Sequence, residues 1–322
     1  MYDLQTVMDT LKESAGAIKK VGSIAEKVFG AKWRKAQADA DAYAIDTIAD
    51  TMRRNDDMKI TYNNGAVSIE KKEYDRLLDS ARLREEQETV KQQKNIEAMF
   101  NYMIEELRKA SKVSDEPVDE DFVDRLVENA KKTNKKELQF LWGKILAREV
   151  VRPGSFSLRT LEIVRNLNKI EAEMIQKVAT VALKHGKQYF LVAKLDLTFK
   201  YGVDFAVLLA MEECGILQSF EALPLNFNIA VNSKIGLENN NEIIIIENKN
   251  QTNCTLRVNA YKFTQAGQEL LDIVMHDSVT KFIHEYALFL RNDNPNLITE
   301  VYKILEGKEN GDIIYSEEPV KL

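Results

Sequence analysis

The stretch QFLWGKILAREVVRPGSFSLRTL, residues 139–161, decides the fold that we predict for this chain. It is typical of a helix, a tight turn and a second helix, because apolar residues recur at three- and four-residue spacing before the turn. The first helix ends at the turn, since Pro153 lacks a backbone N–H and Gly154 accepts backbone angles that other residues avoid. We expect a rigid structural hub here, formed by Gln139, Trp142, Gly143, Pro153 and Gly154.

The same turn is the most distinctive polar spot in the sequence. Arg152 and Arg159 flank Ser155 and Ser157 at the start of the second helix. Free backbone N–H groups, hydroxyls and guanidinium groups together suit a phosphate or a carboxylate ligand. Alternatively, the two serines cap the helix while the arginines pair with nearby glutamates. Capping alone explains the serines, so the second interpretation is favoured.

Composition favours a helical protein without a membrane span. The 322 residues carry a net charge of −6, which gives no overall attraction to nucleic acid or anionic lipid. Only 13 Gly and 5 Pro are present, and so few turn formers favour long helices. No apolar run reaches the ~20 residues of a membrane-spanning helix, and no secretory signal pattern begins the chain. Cys214 and Cys254 cannot form a disulfide framework, so we expect a cytoplasmic protein.

The chain order predicts a mainly α-helical fold with a small β component, in the α+β class. Asn63-Asn64-Gly65 between β-prone residues indicates a hairpin, and a helix, a short strand and a second hairpin after residue 187 suggest a winged-helix-like module. The stretch NLITEVYKIL, residues 296–305, is predicted to be helical. The predicted segments are an amphipathic helix at 1–35, a helical arm at 36–112 with a hairpin insert near 58–70, a central helical domain at 113–186, the winged-helix-like module at 187–275, and C-terminal helices with a tail at 276–322.

Residues 1–35 form the predicted amphipathic helix, which has two possible partners. Its seven basic and four acidic residues give a net charge of +3, and a basic amphipathic helix can lie on a membrane surface. The favoured alternative is packing on its own protein or on a second subunit, because its large aromatic residues lie only at its ends.

Nucleic-acid binding rests on the winged-helix outline alone. The helix in the recognition position, residues 201–214, carries Asp204, Glu212 and Glu213 and no Lys or Arg. A recognition helix normally brings donors and positive charge to the groove, so binding to another protein is favoured over binding to DNA.

Catalytic and metal-binding patterns are missing from the sequence. His284-Glu285 begins an H-E-x-x-H pattern, but Leu288 occupies the second His position, which rules out a zinc-protease site of that type. The carboxylates of Asp119, Glu120 and Asp121 could bind a cation, but acids at a helix start usually stabilise the helix itself. We predict no cofactor, no metal site and no enzymatic activity.

Three stretches carry a resemblance to a known family: KQQKNIEAM (91–99), SDEPVDEDFVDRL (114–126) and QFLWGKILAREVVRPGSFSLRTLEIVRNL (139–167). They resemble the bacterial domain of unknown function 2806 family, whose later L-T-x-x-G-x-E-L element is similar to FTQAGQEL (263–270). This chain differs in having Phe122 where members often have Trp, Arg148 where they often have Gly, and Phe263 in place of Leu. The helix–turn core is more distantly similar to the abortive-infection alpha family. Neither resemblance implies an activity, a cofactor or a catalytic residue.

The sequence therefore predicts a non-enzymatic interaction or assembly protein. The family resemblance suggests a phage-defence or mobile-element setting for it. The expected partner is a second copy or another protein. A nucleic-acid-binding regulator and a membrane-surface effector acting through residues 1–35 are the alternatives.

Overall fold

The computed structural model describes residues 20–26, 60–63, 66–69, 73–110, 113–219, 221–274, 281–307 and 313–322. The chain divides into two compact units, Met1–Gly154 and Ser155–Leu322. The boundary lies inside the 113–186 segment, and the division into five segments stays a prediction. The hub residues thus belong to the first unit. The 1–35 and 36–112 predictions fall largely outside the described residues.

The first unit is helical apart from one small hairpin. Its elements are α1 (20–26), β1 (Ile60–Asn63), β2 (Ala66–Ile69), α2 (Glu73–Leu107), α3 (Glu120–Ala130) and α4 (Lys136–Val151). Strands β1 and β2 pair antiparallel, with Ile60 opposite Ile69 and Asn63 opposite Ala66. Helix α3 begins at Asp119, whose side chain accepts a hydrogen bond from the Phe122 N–H at 2.8 Å, so this acidic cluster serves in part as a helix cap.

The core of the first unit lies between the C-terminal half of α2 and helix α4. The large apolar residues of that half recur at helical spacing and are buried, as are most of those of α4. The buried α2 residues are Ile96, Met99, Phe100, Met103, Ile104 and Leu107. Trp142, Ile145 and Leu146 of α4 are fully buried, as the stripe in the sequence predicts.

The second unit combines helices with a large sheet. Its helices are α5 (Leu158–Asn166), α6 (Lys169–Val181), α7 (Leu195–Thr198) with a 3-10 turn (Phe199–Tyr201), α8 (Phe205–Glu213), α9 (Gln265–Val274) and α10 (Phe282–Asp293). Its strands are β3 (Ala182–His185), β4 (Gln188–Val192), β5 (Leu223–Ile229), β6 (Ser233–Asn239), β7 (Glu242–Asn248), β8 (Cys254–Lys262), β9 (Ile298–Gly307) and β10 (Ile313–Tyr315). They form one antiparallel sheet in the order β10-β9-β7-β6-β3-β4-β8-β5.

The prediction of a mainly α-helical fold with a small β component is wrong, because this sheet has eight strands. The predicted winged-helix-like module is wrong for the same reason. Residues 187–275 supply five strands of the large sheet, β4 to β8, and central strand β7 pairs with both β6 and β9. The run Ile243–Ile246 is buried on both faces of the sheet, which is why it reads as a continuous apolar run rather than an alternating one.

The predicted helix at 296–305 is also wrong, since β9 occupies Ile298–Gly307. Thr299 and Val301 are buried while Ile298 is exposed and Glu300 is half-buried, which is the two-residue alternation of a strand. Residues 221–240, for which the sequence predicts no strand, contain β5 and β6. Both strands are polar enough to resemble a loop, and pairing with β8 and β7 gives them their conformation.

Candidate functional site

The hub predicted from the sequence is a hydrogen-bonded core around Trp142. This side chain is fully buried, and its Nε1–H donates to Thr133 Oγ1 at 3.1 Å. Gln139 is also buried, and its amide donates to Thr133 O and to Asn95 Oδ1, each at 2.9 Å. Asn95 in turn donates to Lys131 O at 2.8 Å. Three elements of the first unit are therefore joined by buried groups that would cost free energy if left unpaired.

Gly143 allows α2 and α4 to approach closely. A Cβ atom at this position would lie 2.5 Å from Tyr102 Cβ, 2.8 Å from Met99 O and 2.9 Å from Met103 N. Two of these neighbours are backbone atoms, which cannot move without shifting α2. Only glycine fits at this crossing.

The turn after α4 is held by a buried carboxylate. Glu149, only 2% exposed, accepts a hydrogen bond from the Gly154 N–H at 2.7 Å. Gly154 has a φ of +78°, in the left-handed region that favours glycine. The apolar face of α4 is thus followed along the same face by Glu149, the residue that fixes the turn. The half-buried Pro153 lies between Glu149 and Gly154 in the chain. Arg152, in the first unit, is exposed.

The N-terminus of α5, in the second unit, already holds a carboxylate from its own chain. Ser157 caps the helix by accepting from the Thr160 N–H, as the sequence predicts. Glu269 of α9 accepts from the Ser157 N–H at 2.9 Å and also from Thr160 Oγ1. Its other oxygen accepts from Gln265 Nε2 at 2.8 Å. A helix N-terminus favours negative charge, so Glu269 occupies the position in which a bound anion would be stabilised.

The anion-binding interpretation of the turn stays a prediction. The structure places Ser155 half-buried and Arg159 exposed, both in the second unit. An external anion at Ser157 would have to displace Glu269. Sequence spacing gave no signal for Glu269, which is 112 residues away from Ser157.

The stretches that build this hub and turn are the ones that carried the family resemblance. The family model described as "Protein of unknown function (DUF2806)" matches residues 79–287. The chain belongs to this family. No curated protein matches the chain. No solved structure matches it either.

The family match begins inside α2, near the start of a long exposed section of that helix. Within residues 77–94 no side chain is buried, and only Glu86, Gln92 and Gln93 are half-buried. Four large apolar side chains lie exposed there. Their exposed fractions are 65% for Leu77, 40% for Leu78, 47% for Leu83 and 45% for Val90. We call residues 77–94 the exposed half of α2.

Helix α1 lies outside the family match, and four of its seven described residues are buried, namely Lys20, Val21, Ile24 and Ala25. Val21 and Ala25, members of the apolar stripe predicted for residues 1–35, are 0% exposed. The Lys20 ammonium donates to Ser114 O at 2.5 Å and to Val150 O at 3.3 Å. Burial lowers the pKa of Lys20, and the nearby Asp115 and Glu116 oppose this shift. This part of the stripe packs within the protein.

A polar cluster that the sequence did not indicate lies where β3, β4 and β6 meet α9. Lys184 Nζ lies 3.6 Å from Asp272 Oδ1, which also accepts from the Tyr189 hydroxyl at 3.0 Å. Glu238 is the cross-strand partner of Lys184. Burial raises the pKa of Glu238, and attraction to Lys184 and His185 offsets only part of this shift.

Metal and membrane features were sought across the part of the chain that the structure describes. There, no group of three or more His, Cys, Asp or Glu residues is arranged to hold a metal ion. His284 Nε2 contacts Glu242 Oε2 at 2.8 Å, which gives this histidine a structural partner. Among the same residues, no helix combines the length and apolarity needed to cross a bilayer.

Proposed function

We propose that this protein is a non-enzymatic interaction and assembly protein, and that the exposed half of α2 is its principal contact element. The observation that supports this proposal is the exposure of Leu77, Leu78, Leu83 and Val90 on a helix that continues into the buried core. Eighteen residues at about 1.5 Å per residue extend roughly 27 Å, enough for a substantial helix–helix contact.

The energetics of helices support a partner for this element. A helix section exposed on all sides gains no stability from packing, whereas most helical stability in proteins comes from packing of an apolar face. Local pairs are weak here: Glu88 contacts Lys91 at 3.4 Å and Gln92 at 3.2 Å, and ion pairs as exposed as this one contribute little to stability. Burying Leu83 and Val90 against a partner would add the missing stabilisation.

The positions of the apolar residues indicate which side of the helix meets the partner. Leu83 and Val90 are seven residues apart and therefore share a face. That face lies about 130° around the helix from Ile96, which packs in the core of the first unit. Extending the core contact along α2 would not cover Leu83 and Val90. A second copy of the chain is the partner that we propose for them.

The experiment compares the mass of full-chain variants by light scattering. Leu83→Glu/Val90→Glu places two charges in the proposed contact and should lower the mass. Ala81→Glu/Gln92→Glu adds the same charge on the opposite side of the exposed half and should leave the mass unchanged. If the wild-type chain is a monomer, the partner of Leu83 and Val90 would instead have to be a different protein. If wild type associates and both variants keep its mass, the exposed half of α2 is not the contact.

A membrane-surface role for residues 1–35 is the weaker alternative. The buried Val21 and Ala25 and the Lys20 hydrogen bonds favour packing of α1 on its own protein, so a bilayer would have to compete with that packing. Liposome flotation of the full chain tests this. Nucleic-acid binding is a weaker proposal still, because it rested on a winged-helix module, and these residues instead form part of the eight-stranded sheet.

The cellular setting that we propose is the cytoplasm, within phage defence or mobile-element conflict. The support for phage conflict is the distant resemblance of the 139–161 stretch to the abortive-infection alpha family. The support for the cytoplasm is the low cysteine content. Phage plaque counts on cells with and without the intact gene test the phage-defence setting.

A further inference from the structure

The eight-stranded sheet ends in two edge strands, β10 and β5, and among the described residues each pairs with a neighbouring strand on one side only. At one edge, β10 pairs with β9, and the tail continues along the same strand through Ser316 N–H to Lys303 O at 2.9 Å and Val320 N–H to Val301 O at 2.7 Å. At the other edge, all seven residues of β5 pair with β8 on one side. On the other side of β5, no residue that the structure describes forms a strand pair with it.

Hydrogen-bond directions show which groups of β5 point away from the sheet. The Ala193 N–H donates to Asn259 O at 2.8 Å, so Asn259 directs its backbone polar groups toward β4. Pro224 lies opposite Asn259, so its own backbone groups point away from β8. Alternation along the strand gives Asn226 and Asn228 the same outward direction. The Gln218 N–H bond to Lys262 O at 2.8 Å agrees, because Lys262 then faces the β5 side.

The sequence of β5 leaves this edge unprotected along most of its length. Exposed edges usually carry charged side chains, which oppose pairing with another strand. The strand LPLNFNI has no charged residue, in a chain that is 30% charged. Pro224 protects only the beginning of β5, because it offers no N–H to an added strand. The missing N–H costs no hydrogen bond to β8, since it would point away from β8. Pro224, Asn226 and Asn228 are exposed, and Leu223 is 48% exposed.

We propose that β5 is a self-association edge, at which two copies of this chain join their sheets by antiparallel β5–β5 pairing about a two-fold axis at Phe227. Asn226 of one copy then lies opposite Asn228 of the second copy, and each such pair exchanges both N–H···O bonds. Pro224 lies outside these pairs.

A second copy fits this edge better than an unrelated strand because of its charge. Two-fold pairing always brings a strand against itself, so any charge on it would meet a like charge nearby. A neutral strand removes that obstacle. The Asn226 and Asn228 amides, which lie on one face, can also donate to and accept from each other across the axis. The strand β5 shares no residue with the exposed half of α2.

The test uses the full chain carrying Leu83→Glu/Val90→Glu, so that association through α2 is removed. Light scattering of this background should give the mass of two chains. Adding Asn226→Lys/Asn228→Lys places like charges opposite each other and should reduce the mass to one chain. Adding Asn226→Lys/Asn228→Glu places opposite charges there and should keep two chains.

Both charge variants lose the hydrogen bond from the Thr255 hydroxyl to Asn228 Oδ1, and both place the lysine of Asn226→Lys opposite Arg257. The fair comparison is therefore between the two variants, which share these changes. Hydrogen exchange of the peptide that covers β5 should be slower in the Lys/Glu form than in the Lys/Lys form. A background that is already a single chain overturns the proposal. So does a Lys/Lys form that keeps two chains, or a Lys/Glu form that dissociates like it.

Discussion

The backbone N–H of Ser157 donates to the carboxylate of Glu269 at 2.9 Å, which joins the first turn of α5 to helix α9. The same carboxylate accepts from Thr160, so one side chain satisfies two donors at a helix start. Negative charge at this position is favoured by the helix dipole. Glu269 therefore connects capping, electrostatics and helix packing in the second unit.

Replacing Glu269 should destabilise the protein. Glu269→Ala leaves the Ser157 N–H and the Thr160 hydroxyl without this acceptor, at an expected cost of about 1–2 kcal/mol. Glu221→Ala, at an exposed glutamate of the same unit, should cost less than about 0.5 kcal/mol. Urea unfolding measures both. The same loss for both variants would mean that the contact with α5 adds no stability.

Removing the Glu269 carboxylate should also create an anion site. If the α5 N-terminus, Ser155 and Arg159 can hold a phosphate, sodium phosphate should raise the Tm of Glu269→Ala more than that of wild type at equal ionic strength. An equal shift in the two proteins would remove the anion-binding prediction for this turn.

Trp142 should be the most costly residue of the hub to truncate. Trp142→Ala removes a fully buried indole, with an expected loss of roughly 3–5 kcal/mol. Thr133→Val keeps the shape but leaves the indole N–H unpaired, with an expected loss of about 1–3 kcal/mol. Thr89→Val, the same exchange at an exposed position of α2, is the control. A Trp142→Ala protein with unchanged Tm would show that this residue is not part of the stabilising core.

Gly143 and Gly22 make a matched pair of helical glycines. Alanine normally stabilises a helix by about 1 kcal/mol relative to glycine. At Gly22 no atom lies within 4 Å of the added Cβ, so Gly22→Ala should stabilise. At Gly143 the Cβ would lie 2.8 Å from Met99 O, and Gly143→Ala should destabilise by about 1–3 kcal/mol. Denaturant midpoints of the two variants should move in opposite directions, and a shared direction would contradict the close approach of α2 and α4.

Glu238 should make the second unit less stable at neutral pH than at acidic pH. Burial raises its folded-state pKa above the usual value of 4.5, so the folded state holds this proton more tightly than the unfolded state. The resulting stabilisation is present below pH 4.5 and is lost as pH rises through the folded-state pKa. Glu238→Gln should therefore raise the Tm at pH 7, with a smaller gain at pH 4. Glu306→Gln, at an exposed position, is the control, and a lower Tm of Glu238→Gln at pH 7 would show that attraction to Lys184 and His185 outweighs burial.

Local features of the fold could be predicted from the sequence. The apolar stripe around Trp142 marks a buried helix, and Ser157 caps α5. A capping box begins α6, with Asn168 accepting from the Glu171 N–H and Glu171 accepting from the Asn168 N–H. Each of these signals involves residues within a few positions of one another, where helical geometry alone fixes which groups meet.

Long-range features could not be predicted in the same way. The stretch at 298–305 fits both helical and strand spacing, and pairing with β7 decides between them. The strand β5 contains Pro224 and two asparagines, which individually favour turns. The contact of Ser157 with Glu269 and the pairing of Lys184 with Glu238 span 112 and 54 residues, and no local pattern encodes them.

The mass of the full chain in solution, measured by light scattering at two concentrations, tests the assembly proposal most directly. One chain has a mass of 36.8 kDa. We expect a larger mass that falls in Leu83→Glu/Val90→Glu and is retained in Ala81→Glu/Gln92→Glu. A wild-type mass of one chain at both concentrations would contradict self-association.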